Sequence, residues 1–156
     1  MKIRLLVIGT RPDEWVQAAV PLYLERLPPH LKPEVVDIPL SLRSSGGDPA
    51  VAKQKEGDRI LHRIKPDDYV VILDEHGTQW SSTELAHEVD RWQNHQPSVV
   101  LAIGGPEGLS DGVKARANKS WSLSRMTLPH GLARVMVVEQ LYRAWTILKG
   151  HPYHKA

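Results

Sequence analysis

Three short runs in this chain are apolar without a break: Leu5-Leu6-Val7-Ile8, Val70-Val71-Ile72-Leu73 and Val99-Val100-Leu101-Ala102-Ile103. A strand with one face in water alternates apolar and polar residues, so a strand that does not alternate is covered on both faces. Between these runs, apolar residues recur at the three- and four-residue spacing of helices. Strands over residues 2–9, 34–38, 68–74 and 98–103 therefore alternate with helices, and a weaker strand is expected over residues 123–128. The expected fold class is α/β, a mostly parallel sheet with helices on both faces. The 156 residues suffice for one domain with a real core, and no repeat, low-complexity segment or linker divides residues 1–156.

Local signals place the helices. Pro12, Asp13 and Glu14 open the first, with Trp15, Ala18, Ala19, Leu22 and Leu24 as its apolar positions and Pro28-Pro29 as its stop. The Ser/Gly-rich residues 41–49 read as a mobile loop, followed by a helix over 49–64. Ser81-Ser82-Thr83-Glu84 fits a capping box for a helix reaching about residue 93, and Ser110 is placed to cap a short helix over 111–118. Leu132, Val135, Met136, Val138, Leu141, Tyr142, Trp145 and Leu148 mark a long amphipathic helix ending near Gly150. Its apolar arc is wider than one sheet face needs, which points to a two-fold interface.

Composition excludes some chemistry. The chain has no cysteine, so disulfides and thiolate metal centres are ruled out, and its eight histidines form no pair at helical ligand spacing with a carboxylate in support. No metal is expected. No apolar run approaches the roughly 20 residues of a membrane span. The opening MKIRLLVIGTRPDEW turns charged too soon for a signal peptide, and a cytoplasmic address is the expectation. Charge is unevenly placed. Residues 112–156 hold eight Lys or Arg against one acid, Glu139, a balance of +7, while residues 1–111 hold twelve against seventeen, a balance of −5. A polarised chain of this kind suggests that the C-terminal third faces a polyanion.

Glycine gathers where a ligand belongs in such a fold. Ile103-Gly104-Gly105-Pro106-Glu107-Gly108-Leu109-Ser110 follows a buried strand, and Leu73-Asp74-Glu75-His76-Gly77 ends another. Residues 120–130, where polar side chains interrupt apolar ones, make a third loop of this character. Ligands of open α/β sheets sit beyond the carboxyl ends of the strands, so three such loops can form one pocket. The GGPEG loop is neither a Walker loop nor a GxGxxG turn in a first βα unit, and a tight turn without a ligand fits the glycines equally well.

Taken together the motifs are specific. Gly9-Thr10, Leu73-Asp74, Ile103-Gly104-Gly105-Pro106-Glu107-Gly108, Trp121-Ser122-Leu123-Ser124, Thr127-Leu128-Pro129-His130, Glu139-Gln140-Leu141-Tyr142-Arg143-Ala144 and His151-Pro152-Tyr153-His154 occur in that order. Over essentially its full length the chain resembles the RlmH family of SPOUT-class methyltransferases. The resemblance implies a C-terminal trefoil knot, a homodimer, and S-adenosyl-L-methionine as the donor that methylates N3 of a pseudouridine in large-subunit (23S) ribosomal RNA. It further implies that Leu73, Gly104, Gly105, Leu123, Ser124, Arg125, Met126, Thr127 and Leu128 bind the cofactor. In that picture Gly104 and Gly105 are glycine because the cofactor lies against the backbone, and Pro106 holds the loop open.

The acceptor N3–H of a uracil-like ring is a poor nucleophile, so a base is expected. His130, Glu139, His151 and His154 are the candidates. Arg143 is placed to stabilise the oxygen that gains negative charge. Each also has a structural reading: His130 shapes a turn, Glu139 pairs with Arg143 at i,i+4, and Trp145 is core or interface. The tail residues Tyr153 and His154 resemble the family's substrate-facing segment. With a net charge of +2 and no recognisable RNA-binding module, the protein is expected to choose its RNA by shape, on an assembled ribosomal particle. Two rival readings remain: a non-catalytic ribosome assembly factor on a SPOUT scaffold, and a nucleotide-binding regulator of flavodoxin-like shape.

Overall fold

The computed structural model describes residues 1–9, 11–41 and 47–155. Five strands, β1 (Lys2–Ile8), β2 (Glu34–Ile38), β3 (Tyr69–Gln79), β4 (Ser98–Ile103) and β5 (Lys119–Ser122), form one sheet in the order β2-β1-β4-β3-β5. Every pairing is parallel. The helices are α1 (Glu14–Arg26), α2 (Pro49–His62), α3 (Ser82–His95), α4 (Asp111–Arg116) and α5 (His130–Lys149).

The unbroken apolar runs are explained by a sheet covered on both sides. Leu5, Val7, Val71, Val99 and Leu101 face a core shared with α1, α3 and α5. Their neighbours Leu6, Val70, Ile72, Val100 and Ala102 face a second core closed by α2 and α4. Each fully buried aliphatic side chain of this kind contributes roughly 1.5–3 kcal/mol. Beneath the sheet, Asp68 ties three strands at their N-terminal ends. It accepts from Arg4 of β1 at 2.7 Å, from Ser98 of β4 at 2.6 Å and from the Lys65 N–H at 2.7 Å.

Most local signals act as expected. The Ser81–Glu84 capping box forms, Ser110 caps α4, and Gly150 ends α5 at φ 69°. Two expectations are corrected. Residues 123–128 are not a strand: β5 lies just before them, and Ser122 and Ser124 satisfy nearby backbone through their hydroxyls instead of a ladder. The buried stripe of α1 is Val16 and Val20, whereas Trp15 is 50% and Leu22 55% exposed. On α5, Val135, Trp145, Ile147 and Leu148 pack against the first core but stay partly exposed, and Leu132 is exposed. The expected loop over 41–49 lies mostly outside the described residues.

Candidate active site

The three loops singled out above converge on one cavity of about 400 Å³ at the carboxyl ends of β3, β4 and β5. That size suits a small organic ligand, about 300–1,000 Å³ being usual. Each wall has a local cause. After β4, Gly105 and Gly108 close a tight turn, with the Gly108 N–H donating to the Gly105 carbonyl at 2.9 Å and Gly108 at φ 81°. Pro106 takes the second position of that turn, so it shapes a closed corner and does not hold the loop open. A Cβ on Gly104 would lie 2.6 Å from the Gly108 carbonyl carbon and 2.9 Å from the Leu109 nitrogen. Glycine at 104 is therefore required by the loop's own backbone.

The second wall is an excursion from β3. Trp121 is the register partner of both Leu73 and Thr78, so residues 74–77 leave the ladder and return. Asp74 Oδ1 accepts from the His76 N–H at 3.0 Å, which fixes the carboxylate. The third wall is residues 123–128. Thr127 donates its hydroxyl to Glu75 Oε2 at 2.8 Å, and Ser122 donates to the Glu75 carbonyl at 3.1 Å, clasping the second wall to the third. His130 opens α5 beside the cavity. Its Nδ1 lies 3.0 Å from the Ile8 carbonyl, which only accepts, so Nδ1 carries the proton and Nε2 keeps its lone pair in the neutral ring.

The expected cofactor residues Leu73, Gly104, Gly105, Leu123, Ser124, Met126, Thr127 and Leu128 all line this cavity. Arg125 does not: it faces a shallower groove with Glu75, His76, Gly77, Gln79 and Thr127. Sequence reasoning missed Lys114, whose place on the wall has no signal in the chain. It also left the carboxylates Asp74, Glu75 and Glu107 without a role. Among the described residues of the wall, three carboxylates face one lysine. Such a wall suits a cationic ligand and disfavours a phosphate.

The tail residues gather elsewhere. Glu139 Oε2 accepts from Arg143 Nε at 3.1 Å and from the Tyr153 hydroxyl at 2.8 Å, while Oε1 accepts from Gln140 at 2.7 Å. The Arg143 guanidinium lies 4.9 Å from the centre of the Tyr153 ring, and Tyr153 packs edge-on against Tyr142 at 4.6 Å. Burial, then the hydrogen bond from Tyr153 to Glu139 and the charge of Glu139, push the Tyr153 phenol up to about 12. Tyr153 is therefore a proton donor at neutral pH and not a base. His151 stacks on Trp145 and its Nδ1 accepts from the Tyr153 N–H. His154 Nδ1 is buried without a partner.

Arg143 lies thirteen residues along α5 from His130, or about 20 Å at the 1.5 Å rise of a helix. One chain thus holds its cofactor loops and its tail cluster at opposite ends of the same helix. The stripe Trp15, Ala18, Ala19 and Leu22, exposed except for the partly buried Ala19, covers about half of that separation. Its Trp15 end packs beside Gly131, next to the cavity, and α1 continues to Tyr23 and Arg26, which meet Tyr142.

The site is thus a cavity at the strand ends of a parallel sheet with helices on both faces, enclosed by a glycine-rich turn and a serine-rich loop. The chain belongs to the SPOUT methyltransferase family: the family model described as predicted SPOUT methyltransferase matches residues 1–154, and membership implies the trefoil-knot fold. Within the family, it is 46% identical over 155 residues to the ribosomal RNA large subunit methyltransferase H of Pseudomonas putida strain W619. It is 47% identical to the protein of the same name from Pseudomonas aeruginosa strain PAO1. Both alignments cover 99% of this chain and 100% of the relative.

Proposed function

We propose that this protein methylates N3 of a pseudouridine in large-subunit (23S) ribosomal RNA, taking the methyl group from S-adenosyl-L-methionine. It acts on assembled ribosomes in the cytoplasm, as a homodimer, with residues 1–156 as one SPOUT methyltransferase domain. The observation that carries the reading is the cavity. Three loops at strand ends enclose a space of suitable size, and its charged wall complements a sulfonium. The rival nucleotide-binding regulator needs a wall that favours phosphate, and this one carries an excess of carboxylates. The ribosomal substrate rests on the names of the full-length relatives. No helix among the described residues is long and apolar enough to cross a membrane, and they contain no cluster of three metal-ligating side chains.

Leu73, Gly104, Gly105 and residues 123–128 would hold the cofactor, with Arg125 at the rim. When bound, S-adenosyl-L-methionine supplies a methyl group activated by its sulfonium. The protein's part is then to position the acceptor and manage one proton. Glu139 is committed to Arg143, Tyr153 and Gln140, so it positions the cluster. His130 is tied by Nδ1 to Ile8 and braces the cavity wall. His154, beside Tyr153 in the tail, is assigned as the base that accepts the N3 proton. Arg143 stabilises the oxygen that gains charge, and Tyr153, whose hydroxyl proton goes to Glu139, holds the cluster in place.

These groups reach the cofactor only across a dimer. The exposed α1 stripe runs from the cavity rim toward the tail. A two-fold axis through its middle brings the tail of one protomer to the cavity of the other. The test pairs calorimetry with methyl transfer to large-subunit or whole ribosomes. Deleting residues 151–156 is expected to keep cofactor affinity within about twofold, because the loops remain, and to abolish methylation. A truncated enzyme working at the wild-type rate removes the tail from the mechanism. A full chain that fails to bind the cofactor at all favours the assembly-factor reading.

A further inference from the structure

The cofactor has a zwitterionic amino-acid end as well as an adenosine and a sulfonium. Any cavity that binds it whole must meet an α-carboxylate and an α-ammonium. Resting on the methyltransferase reading, we propose that the Lys114–Asp74 pair is the seat of that amino-acid end. Lys114 Nζ takes the α-carboxylate and Asp74 Oδ2 takes the α-ammonium.

Four observations support this. Among the described residues that line the cavity, Lys114 is the one lysine or arginine. Its ammonium stands 3.8 Å from Asp74 Oδ2, longer than the roughly 2.7–2.9 Å of a closed charge-assisted bond. Asp74 is already aimed: the His76 N–H occupies Oδ1, which leaves Oδ2 toward Lys114. Finally, Lys114 stands on a fixed platform. Val113 beside it is fully buried in the second core, and Ser110 at the start of α4 packs directly onto Gly57 of α2, where an added Cβ would lie 2.0 Å from the Ser110 hydroxyl. The pair is therefore an anion and a cation 3.8 Å apart, both lining the cavity. A zwitterion with its own charges reversed in order satisfies both at once, replacing one stretched ion pair with two closed ones.

The assignment separates two parts of one ligand, so two compounds test it. S-adenosylhomocysteine carries the amino-acid end, and 5′-methylthioadenosine lacks it but keeps the nucleoside and the sulfur. Calorimetry on the wild type, Lys114→Met, Lys114→Arg and Asp74→Asn reads the difference. The expected result is that Lys114→Met weakens S-adenosylhomocysteine by about 10–100-fold, as loss of a charged hydrogen bond does, and leaves 5′-methylthioadenosine within about twofold. Asp74→Asn should act in the same direction, and Lys114→Arg should keep most of the affinity by retaining the charge. Lys114 has a side chain 42% exposed, so its removal leaves the core untouched. If Lys114→Met weakens both compounds equally, the lysine supports the loop and the subsite is wrong. If it weakens neither, the amino-acid end lies elsewhere. A wild type that binds neither compound overturns the methyltransferase reading itself, and the subsite with it.

Discussion

At the scale of single residues, the glycine loop and the tail tyrosine each carry a measurable consequence. Gly104→Ala places a Cβ against the backbone of Gly108 and Leu109, which cannot rotate away as a side chain would. The loop must shift, and overpacking of this kind costs about 1–3 kcal/mol. Urea unfolding should show that loss, and calorimetry should show cofactor binding weakened at least tenfold; a variant that binds normally would mean the loop geometry is not what shapes the site. Tyr153 is testable by pH. Its phenol is raised from an ordinary value of 10.0 to about 12, so the folded state favours the protonated form. Its contribution to stability is complete below pH 10 and is lost as pH rises from 10 towards 12. Ultraviolet titration should find a late tyrosine phase, to which Tyr69, also raised by burial, contributes, and Tyr153→Phe should diminish that phase. Residue roles were only partly legible in the chain. Gly104 stands out as glycine, yet its cause is a contact with residues four and five positions on, which only the closed turn reveals. Lys114 looks like any exposed helix lysine until α4 is seated on α2.

At the scale of elements, the strands were legible where both faces are buried, because an unbroken run such as Val70-Val71-Ile72 has no polar side to misplace. Caps were legible for the same local reason: Ser81 and Glu84 need only each other and two backbone N–H groups. The helix α1 was legible, but its buried face was not. It carries two apolar stripes, Val16 and Val20 on one side and Trp15, Ala18, Ala19 and Leu22 on another, and size alone favours the tryptophan stripe as core. The excursion of residues 74–77 was hidden too, since a register shift depends on the partner strand. Asp68 shows how elements are joined at the end of the sheet away from the cavity. Burial raises its carboxyl, but the Ser98 hydroxyl, the Lys65 N–H and Arg4 outweigh it, and the net shift is downward. Its contribution is present above the ordinary carboxylate range and is lost as pH falls through its lowered value. Asp68→Ala leaves Arg4, with a side chain only 14% exposed, without its partner. A loss of about 3–5 kcal/mol in chemical denaturation is expected, with cofactor affinity of the remaining folded protein unchanged.

At the scale of the whole molecule, the proposed dimer uses the stripe on α1 to join two ends of the protein that one chain keeps apart. Leu22→Glu puts a charge at the tail-side end of that stripe and should leave a 17.5 kDa species in sedimentation, still able to bind cofactor and unable to methylate. In that proposed dimer, a site built from one protomer's cavity and the other's tail would also be divisible by inheritance. Two defective alleles, one broken at Gly104 and one lacking residues 151–156, damage different halves of each site. Neither homodimer contains an intact pair. A mixed dimer contains one, formed by the good loops of the truncated chain and the good tail of the other. Random reassociation of equal amounts makes half the dimers mixed, each with one of its two sites whole, so activity should return to about a quarter of wild type. A cell carrying both alleles would methylate its ribosomes while neither parent strain does.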